Sequence, residues 1–395
     1  MTSNTEFEYS GRFDVAIVGA GMAGASLAYE LSSRCRVLLL EQESQPGYHT
    51  TGRSAALFSE IYGNQTIRAL TRASRRMLES PPAGFCDSPL LSPRGVLMIG
   101  REEQMERVLS EATGASALST DVHVVSTDFI LEKVPMLRRD VIAGAVHEPA
   151  AMDVDVHGLH QGFLRAAKSR GAAIALDAGL DHLERDGDCW TLVSRDRRWR
   201  AAVVVNAAGA WADDIASMAG TNPLGLTPLR RTAVLVDPPP DMPIHDWPTV
   251  VDIDEQFYFK PDAGKLLLSP ADETPSPPCD AQPDEMDVAI CVDRIQSVAA
   301  LDVRRINHAW AGLRTFAPDR TPVVGFDPIK PDFFWLAGQG GYGIQSAPAL
   351  AQVAAALINR RELAGELSEL TCVLPALAPS RFCFAGNASA VSRGK

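Results

Sequence analysis

Residues 14–19 (DVAIVG) are a continuous apolar run ending on glycine, residues 22–33 are rich in helix formers, and residues 36–41 (RVLLLE) are a second apolar run ending on an acid. Strand, turn, helix and strand in that order are the opening of a βαβ unit. The turn carries Gly19, Gly21 and Gly24, and each serves a separate purpose. One allows the tight turn, one lets the backbone approach a pyrophosphate, and one lets the helix pack closely. The start of the helix adds unpaired amides and positive potential for the anion. Glu41 follows Gly24 by 17 residues, where a carboxylate accepts hydrogen bonds from an adenosine ribose and repels a 2′-phosphate. The segment specifies an α/β, Rossmann-like domain that binds a dinucleotide.

At 395 residues, 46% of them hydrophobic, the chain has material for two domains. With 37 basic against 49 acidic side chains its net charge is −12, so the average surface repels nucleic acid and anionic membranes. The local clusters Arg72, Arg75, Arg76 and Arg195, Arg197, Arg198, Arg200 read as solvated charge. Seven cysteines are scattered, odd in number and never spaced as CxxC, which points to reduced thiols of a cytoplasmic protein rather than disulfides or a zinc site. No apolar run reaches the roughly 20 residues that span a bilayer. We expect a soluble protein with no metal and no transmembrane segment, any membrane contact being a peripheral one through an electron acceptor.

Further along, a helical pattern over about 62–79 (Ile67, Leu70, Ala73, Met77) stops at Pro81-Pro82, and a strand-like run follows at Gly95–Gly100. Helical residues from Gly158, then AAVVVNAAGAW, return to the nucleotide domain, whereas 222–311 reads as strands and turns with proline-rich loops, suited to a substrate-binding sheet. The final strand, glycine turn and helix lie in FFWLAGQGGYGIQSAPALAQVAAALI. The expected division is 1–62, 149–220 and 312–375 for a discontinuous cofactor domain and 63–148 with 221–311 for the substrate domain, with a flexible tail over 382–395.

Two features favour FAD over NAD. The polar loop PGYHTTGRSAA follows Glu41, with Arg53 available to a second face of the pyrophosphate. The second glycine cluster, Gly338, Gly340, Gly341 and Gly343, opens another helix whose amides suit the anionic end of a reduced flavin. A long cofactor gripped at both ends accounts for both.

The phrases VGAGMAGASLAYEL, GYHTTGRSAA, NAAGAW, WAGLRTF and QGGYGIQ resemble the D-amino acid oxidase and glycine oxidase (DAO) group of FAD enzymes, the bacterial D-arginine dehydrogenases most of all, over about residues 13–381. The resemblance implies an FAD-binding domain of the glutathione-reductase type, a second domain with a mixed or antiparallel sheet, and non-covalent FAD. The activity implied is oxidation of a D-amino acid, by hydride transfer from its alpha carbon to flavin N5, to an imino acid that yields a 2-oxo acid and ammonia. The electron acceptor would be a quinone or oxygen. The cofactor contacts implied near the first turn are Met22, Ala23 and Gln42. Those in the polar loop are Thr51, Gly52, Ser54 and Ala55, and later ones are Ala208, Gly209, Trp211 and Gly312. At the second glycine turn the contacts are Gly340, Tyr342, Ile344 and their neighbours.

For the substrate, an arginine fork is the natural carboxylate clamp. Arg314, among apolar neighbours in WAGLRTF, is the leading candidate; the resemblance adds Arg231 and Tyr258. Tyr62 would belong to a lid, Gln345 would contact the amine, and Gly341 would offer it a carbonyl. His157 and His160 read as a helix face. Where the arginine enzymes meet a guanidinium with glutamate, this chain has Val96, and a lid histidine is replaced by Leu57. A buried guanidinium without a partner carboxylate is costly, so neutral, apolar D-amino acids are expected, with Asp87 able to restore a cationic preference if its loop folds inward. Other readings are a D-arginine or D-lysine dehydrogenase, an FAD enzyme for secondary amines or 2-hydroxy acids, and a non-catalytic dinucleotide sensor.

Overall fold

The computed structural model describes residues 9–116 and 121–382. The tail expected over 382–395 lies, past Phe382, outside the described residues. The opening segment forms the strand Tyr9–Val18, the helix Met22–Leu31 and the strand Val37–Leu40. Both strands are covered on two faces, which is why they read as unbroken apolar runs. Val15, Ile17, Val37 and Leu39 pack with Leu27, Phe163 and Leu350 on one side, while Ala16, Val18, Leu38 and Leu40 pack with Trp190, Trp199 and Trp335 on the other.

This sheet runs Ala173–Ala175, Val37–Leu40, Tyr9–Val18, Arg197–Asn206, all parallel. Arg197–Asn206 is long enough for two neighbours on its other edge. Residues 197–201 pair antiparallel with Cys189–Ser194, and residues 204–206 pair parallel with Phe333–Ala337. The parallel strands end at Gly19, Glu41, Ala207 and Gly338, so the cofactor-type turns and the acid share one end of the sheet, the end at which open α/β sheets hold ligands.

A second, nine-stranded sheet of mixed orientation carries the other core. Its longest ribbon pairs Thr227–Val236 antiparallel with Ile306–Phe316. Lys265–Ser269, Tyr258–Asp262, Thr249–Asp252, Val96–Gly100, Gly144–Glu148 and His123–Ser126 follow in order, with Thr249–Asp252 and Val96–Gly100 parallel to each other. A third, small sheet holds Leu57–Phe58, Met152–Val154 and Leu91–Pro93.

Two expectations are corrected. The helix Gln65–Glu79 buries Leu70 and Leu78 in the core of the first sheet, against Gly343–Ile358, and not in that of the second. The region 222–311, read as strands and turns, contains the helix Glu285–Val298. Asp284 caps it by accepting the Met286 amide, and Cys291, Ile295 and Val298 bury one stripe against the second sheet. An aspartate cap and spacings of four and three are a helix signature, here hidden by the proline-rich stretch before it.

Candidate active site

The first glycine turn is built to its backbone. Gly19 has φ +103°, and a Cβ there would stand 2.4 Å from the Ala207 carbonyl oxygen; one on Gly24 would stand 1.9 Å from the Gly19 oxygen. Gly24 therefore serves helix packing and does not line the cavity. Gly21 begins the helix with no side-chain cap of its own, which leaves the amides that follow Met22 for an anion. Thr51 Oγ1 accepts the Met22 amide at 3.0 Å, bringing the polar loop over the turn. From beneath, buried His160 places Nε2 2.9 Å from the Ala20 oxygen, so this histidine supports the turn and is not a surface residue. Glu41 accepts the Ala20 amide and the Glu43 amide, both at 3.1 Å. Burial raises its pKa, and the two amides pull the other way.

Gly19, Gly21, Met22, Ala23, Glu41 and Gln42 line one cavity of about 790 Å³, a volume within the ~300–1,000 Å³ common for ligand sites. Thr51, Ser54, Ala55, Ala208, Gly209 and Trp211 line it as well, as do Gly312 and Gly340 to Gln345. Gly52 does not; its amide turns back to Gly47 at 2.7 Å. Arg53 lines the cavity, but its guanidinium donates to the Ala281 and Ala311 carbonyls and to Asp280. Three of its five N–H groups thus fasten the loop. The helix Gly343–Ile358 starts uncapped at Tyr342, so the second glycine turn offers amides as the first does.

At the other end of the cavity, two arginines share one face of the long ribbon. Arg314 lies opposite Leu229 and Arg231 opposite Gly312, two residues along. Arg231 donates Nε to the Asp272 carbonyl at 2.9 Å and Nη2 to Glu273 at 3.3 Å; burial lowers its pKa, and the Arg314 charge lowers it further. Burial works against the Arg314 charge too, but Tyr258, Tyr62 and Glu273 around it leave its pKa raised. Among the described residues no carboxylate is in salt-bridging reach of Arg314; Glu273 pairs with Arg231 and Arg320. A Cβ on Gly341 would stand 3.0 Å from Arg314 Nη1 and 3.6 Å from the Tyr62 hydroxyl. Tyr62 packs on Tyr342, their ring centres 4.9 Å apart. Burial raises the pKa of both phenols, that of Tyr342 to about 12. The structure thus brings Tyr62, Arg231, Tyr258, Arg314 and Gly341 to one place.

Gln345 also lines the cavity, yet its amide is used at both ends: Oε1 accepts the Ser59 amide at 3.1 Å and Nε2 donates to Thr71 at 3.0 Å. It ties the segment before Tyr62 to the helices, with one Oε1 lone pair and one Nε2 hydrogen engaged. Leu57 and Val96 border the cavity with Ile61, Met98, Val251 and Ile253. Asp87 does not. It is exposed on a loop anchored the other way, by Phe85 packed on Tyr29 and Phe163. A carboxylate that sequence reasoning missed is present instead: Glu148, directly across the strands from Val96.

Among the described residues no group of three His, Cys, Asp or Glu could hold a metal ion, and no helix is long and apolar enough to cross a membrane. Six cysteines among those residues are free thiols.

A family model described as DAO, FAD dependent oxidoreductase, matches residues 14–357. Glycine oxidase of Geobacillus kaustophilus (strain HTA426) is 25% identical over 373 residues, which cover 90% of this chain and 96% of its own. Its crystal structure matches with a TM-score of 0.80, covering 91% and 98%. Mitochondrial dimethylglycine dehydrogenase of Rattus norvegicus is 22% identical over 92% of this chain, which spans 45% of that relative's length. The structure of L-proline dehydrogenase from P. horikoshii, 19% identical, shares the fold with a TM-score of 0.78, covering 94% of this chain and 98% of its own.

Proposed function

The chain belongs to the FAD dependent oxidoreductase (DAO) family, and from that premise we propose that this FAD enzyme oxidises the bond between the alpha carbon and the nitrogen of a D-amino acid with a neutral side chain. The observation that carries the reading is the pairing of Arg231 and Arg314 on one face of the ribbon, inside the cavity that the two glycine turns open onto. Two cations placed side by side and partly stripped of water are costly unless an anion meets them. A substrate carboxylate is such an anion, and the planar fork of Arg314 can hold both of its oxygens.

In this reading Arg314 and Arg231 hold the carboxylate, while the Tyr258 and Tyr62 hydroxyls add hydrogen bonds and keep water out. The amine enters neutral, its proton left in solvent, and no side chain acts as base. FAD, when bound, accepts the hydride from the alpha carbon. The Gly341 carbonyl faces the amine. Leu57, Val96, Ile61 and Val251 surround the side chain, and the nearby Glu148 oxygens are occupied by Ser59 and Glu60. A neutral side chain therefore meets apolar groups and a carboxylate whose two oxygens already accept hydrogen bonds.

The D configuration is supported by the resemblance to the D-amino acid and glycine oxidases. A second reading, oxidation of an N-substituted amino acid, is supported by the likeness to dimethylglycine dehydrogenase and uses the same clamp. Turnover of D-leucine, D-methionine and D-phenylalanine against D-arginine and N-methylated glycines separates the two: release of ammonia from the neutral D-amino acids is expected. Activity confined to N-methylated substrates, or a strong preference for D-arginine, overturns the proposal.

A further inference from the structure

Glu148 ends the strand Gly144–Glu148, borders the cavity and is 4% exposed, but it takes no part in the clamp. Its carboxylate is nevertheless engaged through both oxygens. Oε2 accepts the Ser59 hydroxyl at 2.7 Å, Oε1 accepts the Glu60 amide at 3.1 Å, and the Ile61 backbone adds a third hydrogen bond. These three residues lead directly into Tyr62, beside Arg314 and Gly341. From the opposite side Gln345 accepts the Ser59 amide. The segment is pinned between a carboxylate on the second sheet and an amide on the helix that follows the second glycine turn.

We propose that Glu148 is a positioning residue: by holding residues 59–61 it sets the Tyr62 hydroxyl against Arg314 and so governs how tightly the substrate carboxylate is bound. The inference rests on the clamp reading above. A carboxylate withdrawn from water persists when its lone pairs are filled, and here each filled lone pair fixes one residue of the segment. The charged group facing it from that segment is Glu60, which pairs with Arg75 at 2.9 Å; Val96 faces it from the neighbouring strand. Burial raises the Glu148 pKa to about 7, against the hydrogen bonds from Ser59, Glu60 and Ile61. Ionised, the carboxylate accepts all three hydrogen bonds; protonated, it gives up acceptor capacity to an O–H donor. The hold therefore loosens as pH falls through neutrality.

The test compares holoenzyme of wild type, Glu148→Gln, Ser59→Ala, Tyr62→Phe and the Glu148→Gln/Tyr62→Phe double variant, by kinetics from about pH 5.5 to 9 and by amide hydrogen exchange of residues 59–63. Wild-type KM should rise as pH falls through neutrality. Glu148→Gln should raise KM roughly tenfold, the scale of one hydrogen bond to a charged group, with kcat little changed and no inflection near neutrality. Adding it to Tyr62→Phe should cost little more, since both act on one contact. Exchange over 59–63 should quicken in Glu148→Gln and in Ser59→Ala, which keeps the carboxylate and carries the test if Glu148→Gln fails to fold. Wild-type KM and pH profile in Glu148→Gln, additive penalties in the double variant, or unchanged exchange in the variants overturns the proposal. If wild type turns over no amino acid, the clamp reading fails, and hydrogen exchange still decides whether Glu148 holds the segment.

Discussion

Replacing Arg314 with alanine removes the one clamp arginine whose fork has no carboxylate of its own among the described residues. Arg231 would remain, but it already donates to the Asp272 carbonyl and to Glu273. The substrate carboxylate would then lie in a buried site with its main partner gone. Truncating one member of a buried, hydrogen-bonded charge pair costs about 2–5 kcal/mol, and at about 1.4 kcal/mol per tenfold kcat/KM should fall roughly 30-fold to several thousandfold. In the substrate-free fold two effects oppose: Tyr258, Tyr62 and Glu273 favour the Arg314 charge on balance, and its loss relieves the repulsion on Arg231. Tm without substrate should change little, and stabilisation by added substrate should disappear. The assay is steady-state release of 2-oxo acid, with thermal melts and visible flavin absorbance on the same preparations. A kcat/KM within about threefold of wild type refutes the clamp, since three hydrogen-bonding partners would then suffice without the fork. Loss of activity that tracks loss of flavin makes Arg314 structural and refutes it equally.

Gly341→Ala places a methyl 3.0 Å from Arg314 Nη1, so substrate KM should rise at least several-fold while flavin content stays normal, as read by kinetics and absorbance. Gly19→Ala adds a methyl 2.4 Å from the Ala207 oxygen at φ +103°, where the three nearest atoms all belong to the backbone of Ala207 and Ala208 and cannot yield; purified protein should lack bound FAD and melt earlier. Glu148 makes stability depend on pH: its folded pKa, about 7, lies above the ordinary 4.5, so the folded state binds the extra proton and stability falls as pH rises from about 4.5 to 7. The gap corresponds to about 3 kcal/mol at 1.36 kcal/mol per pH unit. Urea melts of wild type and Glu148→Gln across that window should converge at low pH and diverge above neutrality, with the variant losing less.

Much of the cofactor end is legible in sequence because it is local. Gly19, Gly21, Gly24 and Glu41 lie on one strand–turn–helix–strand unit, and at Gly19 and Gly24 the backbone leaves no room for a side chain. Arg314 is legible for a different reason, a cation among apolar neighbours. What sequence could not show depends on register and packing. Glu148 sits in HEPAAM with no spacing signal, and only the pairing of Val96 with Glu148 brings it to the cavity. Asp87 is closer in sequence to Val96, yet Phe85 turns its loop onto Tyr29 and Phe163, away from the site. Sequence places Gln345 and Arg53 at the cavity but does not show their hydrogen bonds to Ser59, Thr71, Ala281 and Ala311, which come from distant segments. His160 does lie on a helix, Val156–Ser169, but its contact with the Ala20 carbonyl comes from a distant segment that sequence does not show.

The most direct test is anaerobic mixing of the purified flavoprotein with a panel of D-amino acids, L-amino acids, N-methylated glycines and 2-hydroxy acids, watching the visible flavin absorbance bleach. Bleaching by neutral D-amino acids, absent in Arg314→Ala and followed by ammonia release when an electron acceptor is admitted, is the result expected. Bleaching by L-amino acids, N-methylated glycines or 2-hydroxy acids with none by any D-amino acid contradicts it.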